Sequence, residues 1–136
     1  MSDEKDWLPT EKNIEDYELL KDMLDSQKRE FDLLSKKKPD DQLNKMKLKM
    51  VNRVLEPLKK ICENEPSYMF LDTLNEDEMP TYSDVVLIIS QYETALDEFK
   101  ETHHFRDDYR LEHRWMTQEY PPDYYGGEDE GDEGEE

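Results

Sequence analysis

Three histidines near the carboxyl end of the sequence are the side chains best suited to metal chemistry. His103 and His104 are followed by Asp107, Asp108 and His113, and a helix would place His104 and Asp108 one turn apart. Imidazole and carboxylate groups are common zinc ligands, but zinc sites usually add a closely spaced second His or Cys. No pair of the HExxH type is present, so we expect surface histidines near a helix end, no metal and no cofactor.

The other residues that could support catalysis are too common or too isolated in this sequence to identify a site. Asp and Glu number 37 among 136 residues, so carboxylate pairs are frequent everywhere and indicate no particular acid/base site. The single cysteine, Cys62, has no recognisable histidine partner and falls on an apolar helical face, where a small buried residue is expected. All four glycines lie within residues 126–134. We therefore predict that the protein is not an enzyme.

Charge is distributed unevenly along the chain. The formal net charge is −19, yet residues 36–62 contain nine Lys or Arg against three Asp or Glu. Residues 1–35 contain 11 acidic and 5 basic residues, and residues 63–136 contain 23 acidic and 4 basic residues. The one basic stretch therefore coincides with a single predicted helix, and this contrast is the main clue to function.

Four cations of the basic stretch are predicted to share one helical face. At 100° per residue, Lys45, Lys49, Arg53 and Lys60 fall within about 80° of one another, opposite the apolar side. The favoured interpretation is a solvated face that pairs with acids of neighbouring helices. The alternative is a surface that follows a nucleic-acid backbone, because evenly spaced cations can neutralise successive phosphates.

A second set of cations, Arg106, Arg110 and Arg114, recurs every four residues. A helix would place the three guanidinium groups on one face, with neighbouring acids available for local ion pairs. The alternative is a surface that docks carboxylates or phosphates, which arginine binds through two parallel hydrogen bonds. One candidate ligand for this surface is the acidic tail of the chain itself.

The carboxyl-terminal segment 121–136, the acidic part of the tail, contains eight acids and no base. Its acidic residues are Asp123, Glu128, Asp129, Glu130, Asp132, Glu133, Glu135 and Glu136. Such a segment cannot bury enough apolar surface to fold alone. It could increase solubility, attract a basic protein partner, or cover a basic surface of its own chain until a stronger polyanion displaces it.

A short motif at the start of this tail has a possible partner class of its own. Residues 121–124 read Pro-Pro-Asp-Tyr, which matches the Pro-Pro-x-Tyr pattern that WW domains bind in polyproline II form. A four-residue pattern also recurs by chance, so the motif carries little weight by itself.

Apolar residues recur at alternating steps of three and four residues in three long segments, which predicts amphipathic helices over 13–36, 41–62 and 83–102. Short helices are expected over 66–74, after a proline suited to a first helical position, and over 105–118. No segment shows sustained apolar-polar alternation. The sequence therefore predicts an all-α bundle of three principal helices with one or two short ones.

Helix caps can be proposed for two of these helices. Asp40 or Asp41 is available to cap the second helix after Pro39 breaks the first one. Thr81 with Asp84 resembles a capping box for the third helix, and Ser83 is an alternative cap.

The ends of the chain differ in composition from its middle. Residues 13–116 contain 26 of the 27 Leu, Ile, Val and Phe residues. This predicts a flexible acidic lead over 1–12, a helical domain over 13–118 and a disordered acidic tail over 119–136. We find no apolar run long enough for a membrane span and no secretory signal, so we expect an intracellular, soluble protein.

These features favour a non-enzymatic binding or regulatory protein that engages a basic protein partner through its acidic body and tail. Such a body could also imitate nucleic acid and occupy a protein that handles nucleic acid. The alternative is a nucleic-acid-associated protein that uses the basic 36–60 helix and is restrained by its tail. A homo-oligomer is a further expectation, because the apolar side of the 41–62 helix is broad.

Overall fold

Three helices account for most of the structure, a computed structural model that describes residues 7–107 and 112–121. Helix α1 comprises Glu11–Lys37, α2 comprises Lys45–Ile61 and α3 comprises Tyr82–His103. The observed ends differ from the predicted ones by one to four residues. The all-α bundle expected from the periodicity is confirmed.

The core lies where the apolar stripes of the three helices meet. Helix α1 contributes Tyr17, Leu24 and Phe31, which recur every seven residues and are at most 5% exposed. The other two helices contribute Val51, Val54, Leu55, Leu58, Val85, Ile89, Tyr92, Leu96 and Phe99. Burial of a large apolar side chain stabilises the fold by roughly 1.5–3 kcal/mol, so these stripes supply the main driving force for the bundle.

The last described residues form hydrogen bonds with residues at the beginning of the fold. The backbone N–H of Gln118 donates to the carbonyl of Pro9 (2.8 Å), and its side-chain amide donates to the carbonyl of Leu8 (2.8 Å). The Glu119 carboxylate accepts from the first backbone N–H of α1, at Glu11 (3.0 Å), where the helix dipole favours an anion. Residues 7–12, assigned to the lead by composition, thus contain buried Leu8 and the first turn of α1.

Helix α2 begins later than the sequence predicted, and its cap is different. Its amino-terminal cap is Asn44, which accepts from the backbone N–H of Lys47 (2.8 Å), and neither Asp40 nor Asp41 has this role. The preceding backbone is paired with the approach to α3: Leu43 donates to Pro80 (3.0 Å). A tertiary contact therefore holds this segment extended and delays the helix.

Helix α3 begins as predicted. Thr81 and Asp84 form a reciprocal capping box, with hydrogen bonds of 2.9 and 3.2 Å between each side chain and the other's backbone N–H. The connection from α2 contains two short 3-10 helices, Pro66–Phe70 and Glu76–Glu78. The first one replaces the longer helix expected over 66–74. None of the helices within the described residues combines the length and apolar character that a bilayer crossing requires.

The helix predicted over 105–118 is wrong. This part of the chain contains two antiparallel strands, β1 (His104–Asp107) and β2 (Glu112–Trp115). Trp115 explains the difference, because its ring packs 5.3 Å from Tyr17 and 5.9 Å from Phe99 between ring centroids. Folding back as a strand inserts this side chain beside the core, and the sequence pattern alone could not reveal this alternative.

Candidate functional site

The four cations that the sequence placed on one face of α2 point away from the core. Lys45, Lys49, Arg53 and Lys60 are all exposed, because buried Val51, Val54, Leu55 and Leu58 fill the opposite side of the helix. We call these four cations the basic row.

The basic row has few partners. Lys45 lies 3.5 Å from Glu76, and Lys60 lies 4.0 Å from Glu63. Lys49 and Arg53 make no ion pair within the part of the chain that the structure describes. The row is therefore a solvated surface with two cations available to an anionic ligand.

The second predicted set of cations does not form a row. Arg106 stands opposite His113 in the hairpin, and Arg114 stands opposite Phe105. Cross-strand partners share a face and consecutive positions alternate between faces, so positions 106 and 114 fall on opposite faces. Arg110 lies outside the described residues. The shared helical face for these arginines is wrong because the segment is a hairpin.

A different charged surface lies along the contact between α1 and α3. Asp25 and Asp32 of α1 and Glu93 and Asp97 of α3 contribute four carboxylates, which we call the carboxylate seam. Asp25, Glu93 and Asp97 line a depression of about 200 Å³ whose floor includes Leu24 and Leu96. The seam is therefore built directly on the core.

Two lysines of α1 partly neutralise the carboxylate seam. Lys21 lies 3.4 Å from Asp25, and Lys28 lies 3.6 Å from Asp32 and 3.9 Å from Glu93. Asp97 has no ion pair within residues 7–107 and 112–121. With four carboxylates and two ammonium groups, the seam retains negative charge.

Burial and neighbouring charges both affect the titration of Glu93. Burial raises the pKa of its carboxyl above the ordinary 4.5, and the nearby carboxylates of Asp25, Asp32 and Asp97 raise this pKa further, against the opposing effect of Lys28. The pKa of Tyr17, a buried residue of α1, is raised to about 12, first by burial and then by acids that include Asp97 and Asp25. Burial is the main cause of both shifts, and the nearby acids act in the same direction.

Sequence reasoning missed the carboxylate seam, although a signal was present. Asp25 and Asp32 each follow a residue of the buried stripe of α1, namely Leu24 and Phe31, at the same seven-residue spacing. Acids that directly border an apolar stripe are held at the edge of a helix contact, where partial burial is expected. The partner carboxylates of α3 could not be identified, because the pairing of α1 with α3 is a tertiary feature.

The histidines form no recognisable metal site. His103, expected at the surface, is fully buried, and its Nε2 lies 2.8 Å from the Glu65 carboxylate. His104 and His113 stack with ring centroids 5.3 Å apart. Within the described residues, no three His, Cys, Asp or Glu side chains are grouped as metal ligands.

Cys62 occupies the core. Its side chain is fully buried, and burial raises the pKa of its thiol to about 12, with a smaller contribution from Glu65. A thiol that remains protonated near neutral pH is a poor nucleophile, so Cys62 has a packing role in this fold.

The predicted tail functions concern residues that the structure does not describe. Asp123, the other tail acids and most of the Pro-Pro-x-Tyr motif fall in 122–136, outside the described residues. Only Pro121 of the motif is described, and it is half-buried.

No protein-family model matches this chain, and no curated protein and no solved structure matches it. Charge, burial and geometry are therefore the grounds for a functional proposal.

Proposed function

We propose that this is a non-enzymatic binding protein that engages a basic protein partner through the carboxylate seam, with the acidic tail as a second point of attraction. The observation that carries the proposal is the incomplete neutralisation of four carboxylates at the α1–α3 contact. Lysine or arginine side chains of a partner would complete the charge balance there.

Partial burial makes this surface more effective than the same charges in open solvent. The seam carboxylates of Asp25, Asp32 and Glu93 are 37%, 38% and 32% exposed, and Asp97 is exposed. Interactions between such groups are less screened by water and salt than those of fully exposed charges. A cation that approaches the seam therefore meets three acids that are less screened than acids in open solvent.

The formal charge of the chain extends the attraction to longer range. A net charge of −19 steers a basic partner toward the protein before contact and increases the association rate at low salt. A nucleic-acid-handling protein is a specific form of this partner, because a cleft that attracts phosphates also attracts carboxylates.

Affinity purification from the native cell, with the full chain as bait, tests this proposal. The test variant is Asp25→Asn, Glu93→Gln and Asp97→Asn together. The matched control removes three exposed acids elsewhere, by Asp72→Asn, Asp77→Asn and Glu78→Gln. We expect the wild type and the control to retain the same basic proteins and the seam variant to lose them. Equal retention by all three would reject the seam, and retention of no basic protein would reject the partner class.

The basic row supports a second candidate function, nucleic-acid binding. The specific observation is that Lys49 and Arg53 are exposed, one helical turn apart, and without an ion pair in the described part of the chain. Two such cations could contact adjacent phosphates. We keep this function second because the surrounding net charge is strongly negative.

Titration of labelled duplex and single-stranded nucleic acid at low salt tests this second function. Replacing all four cations of the basic row by Glu should abolish binding if the row is the site, and unchanged affinity would reject it. Deleting residues 121–136 tests whether the tail competes for the row: competition predicts a large gain in salt-sensitive binding, and no gain would reject it.

A further inference from the structure

The outer side of α1 and the adjoining edge of α2 expose large apolar side chains. Leu19, Met23 and Leu33 of α1 are 63%, 47% and 60% exposed, and Met46 and Met50 of α2 are 69% and 52% exposed. Isolated exposed apolar residues are ordinary, but a contiguous group of this kind indicates an interaction surface.

The exposed apolar residues of α1 have the spacing of a helix-packing interface. Positions 19, 23, 26, 30 and 33 recur at alternating steps of four and three, as the contact positions of coiled coils do. These positions are Leu19, Met23, Ser26, Glu30 and Leu33, which we call the outer stripe. The buried Tyr17, Leu24 and Phe31 form a separate stripe, so α1 carries two packing faces and the described fold covers one.

The outer stripe continues into a groove between α1 and α2. Ser26 and Glu30 line a cavity of about 310 Å³ together with Phe31, Leu34 and Met50. The cavity extends the apolar surface inward at the two polar positions of the stripe. A long, flexible side chain from an opposing helix, such as methionine, could fill it.

Charges beside the outer stripe identify the occupant. Asp22 and Glu15 flank the amino-terminal half of the stripe, and Arg29 and Lys36 flank the other half on the same side. All four are exposed and make no ion pair within the described residues. A helix with acids at one end and bases at the other end of one flank is complementary to a reversed copy of itself.

The central position of the outer stripe, Ser26, defines the register of such a pair. If two α1 helices run antiparallel and cross at Ser26, Leu19 of one copy lies opposite Leu33 of the other. Asp22 then lies beside Arg29 of the second copy, and Glu15 beside Lys36, each contact occurring twice because of the two-fold symmetry. Met23 of the second copy reaches the level of Glu30, where the cavity opens. A parallel pair would lose this matching of charges.

We infer that a second copy of this chain packs on the outer stripe, forming a symmetric dimer through antiparallel α1 helices with Met46 and Met50 at the edge of the interface. Asp25 and Asp32 follow the inner stripe, on the other side of α1. The dimer therefore leaves two carboxylate seams accessible, and this inference does not depend on the proposed function.

Sedimentation equilibrium of the full chain tests the dimer. A salt concentration of about 0.15 M or more is suitable because it screens the repulsion between two strongly acidic chains. We expect the wild type to have twice the monomer mass. Met23→Glu with Leu33→Glu should give a monomer. The matched control, Met69→Glu with Leu87→Glu, changes two residues that are 77% and 61% exposed elsewhere and should remain dimeric. Circular dichroism confirms that each variant is folded.

Charge reversal tests the antiparallel register separately. Asp22→Arg alone and Arg29→Asp alone should each weaken dimerisation by about tenfold, because each places like charges together twice. The double variant exchanges the two charges and should restore the wild-type dissociation constant.

Three results would overturn the inference. A monomeric wild type would reject the second copy as occupant. This holds even if a variant that lacks residues 122–136 forms dimers. A dimer that survives Met23→Glu with Leu33→Glu would place the interface elsewhere. A double charge variant no stronger than the single ones would reject the register.

Discussion

The carboxylate seam and the basic row carry opposite charges, and they differ as much in how firmly the fold holds them. Asp25 and Glu93 of the seam are 37% and 32% exposed and lie above buried leucines. Lys45 and Lys60 of the row are 84% and 77% exposed. Since partial burial reduces screening, these two carboxylates interact more strongly with nearby charges than the solvated cations of the row do. The seam is therefore the more organised of the two surfaces.

Removing the support of the seam should have the largest effect. Leu24 is fully buried below Asp25, so Leu24→Ala should lower the free energy of unfolding by about 2–5 kcal/mol through lost burial and a cavity. Lys49→Ala in the basic row should change it by less than about 0.5 kcal/mol. Urea unfolding followed by circular dichroism measures both, and similar losses would remove the distinction between the two surfaces.

The pH dependence of stability should show the effect of the seam on Glu93. Its pKa is raised by burial and by Asp25, Asp32 and Asp97, so its contribution to stability is present below the unfolded-state pKa and is lost as the pH rises through the folded-state pKa. Glu93→Gln should therefore gain stability relative to the wild type as the pH rises above the ordinary pKa of a glutamate, by less than about 1 kcal/mol.

An exposed acid on the same helix provides the control for this measurement. Glu98→Gln should show no such gain across the same pH range, because Glu98 is exposed and lacks the burial of Glu93. A wild type that gains stability relative to Glu93→Gln as the pH rises would mean that ion pairing with Lys28 outweighs burial and the neighbouring acids.

The smallest effect is expected in the basic row itself. Lys45 and Glu76 are 3.5 Å apart with side chains 84% and 58% exposed. A double-mutant cycle of Lys45→Gln and Glu76→Gln should give a coupling energy below about 0.5 kcal/mol, as for other exposed pairs. A coupling above about 1 kcal/mol would show that the row is as well organised as the seam.

The three long helices could be predicted from sequence because each buries one periodic face. The spacing of Tyr17, Leu24 and Phe31 depends on α1 alone, and the Thr81 capping box is a local contact. Where tertiary contacts determine the local structure, the periodicity of the apolar residues was not sufficient to predict it. The pairing of Leu43 with Pro80 delays α2, and the position of Trp115 between aromatic rings requires the hairpin.

The two charged surfaces also differ in how far they could be predicted from the sequence. The exposure of the basic row follows from one helical wheel, since the cations and the apolar side belong to the same helix. The carboxylate seam joins acids of α1 to acids of α3 that are at least 61 residues away in the sequence, and the His103–Glu65 contact spans 38 residues. No local pattern encodes such pairs, because they depend on how the helices pack.

The most direct test of the central claim is to map where a basic ligand binds. We propose titration of an oligolysine peptide into the isotope-labelled full chain, followed by amide chemical shifts in two-dimensional NMR spectra. Assigned amides of α1 and α3 around Asp25, Asp32, Glu93 and Asp97 report on the seam. Those of α2 around Lys49 and Arg53 provide an internal reference surface.

We expect the largest shift changes of the described residues at the carboxylate seam. These changes should disappear in the variant that combines Asp25→Asn, Glu93→Gln and Asp97→Asn, and they should persist in the control that combines Asp72→Asn, Asp77→Asn and Glu78→Gln. Shift changes confined to residues 122–136, or equal changes in the seam variant and the control, would contradict the assignment of the seam as the binding surface for a basic partner.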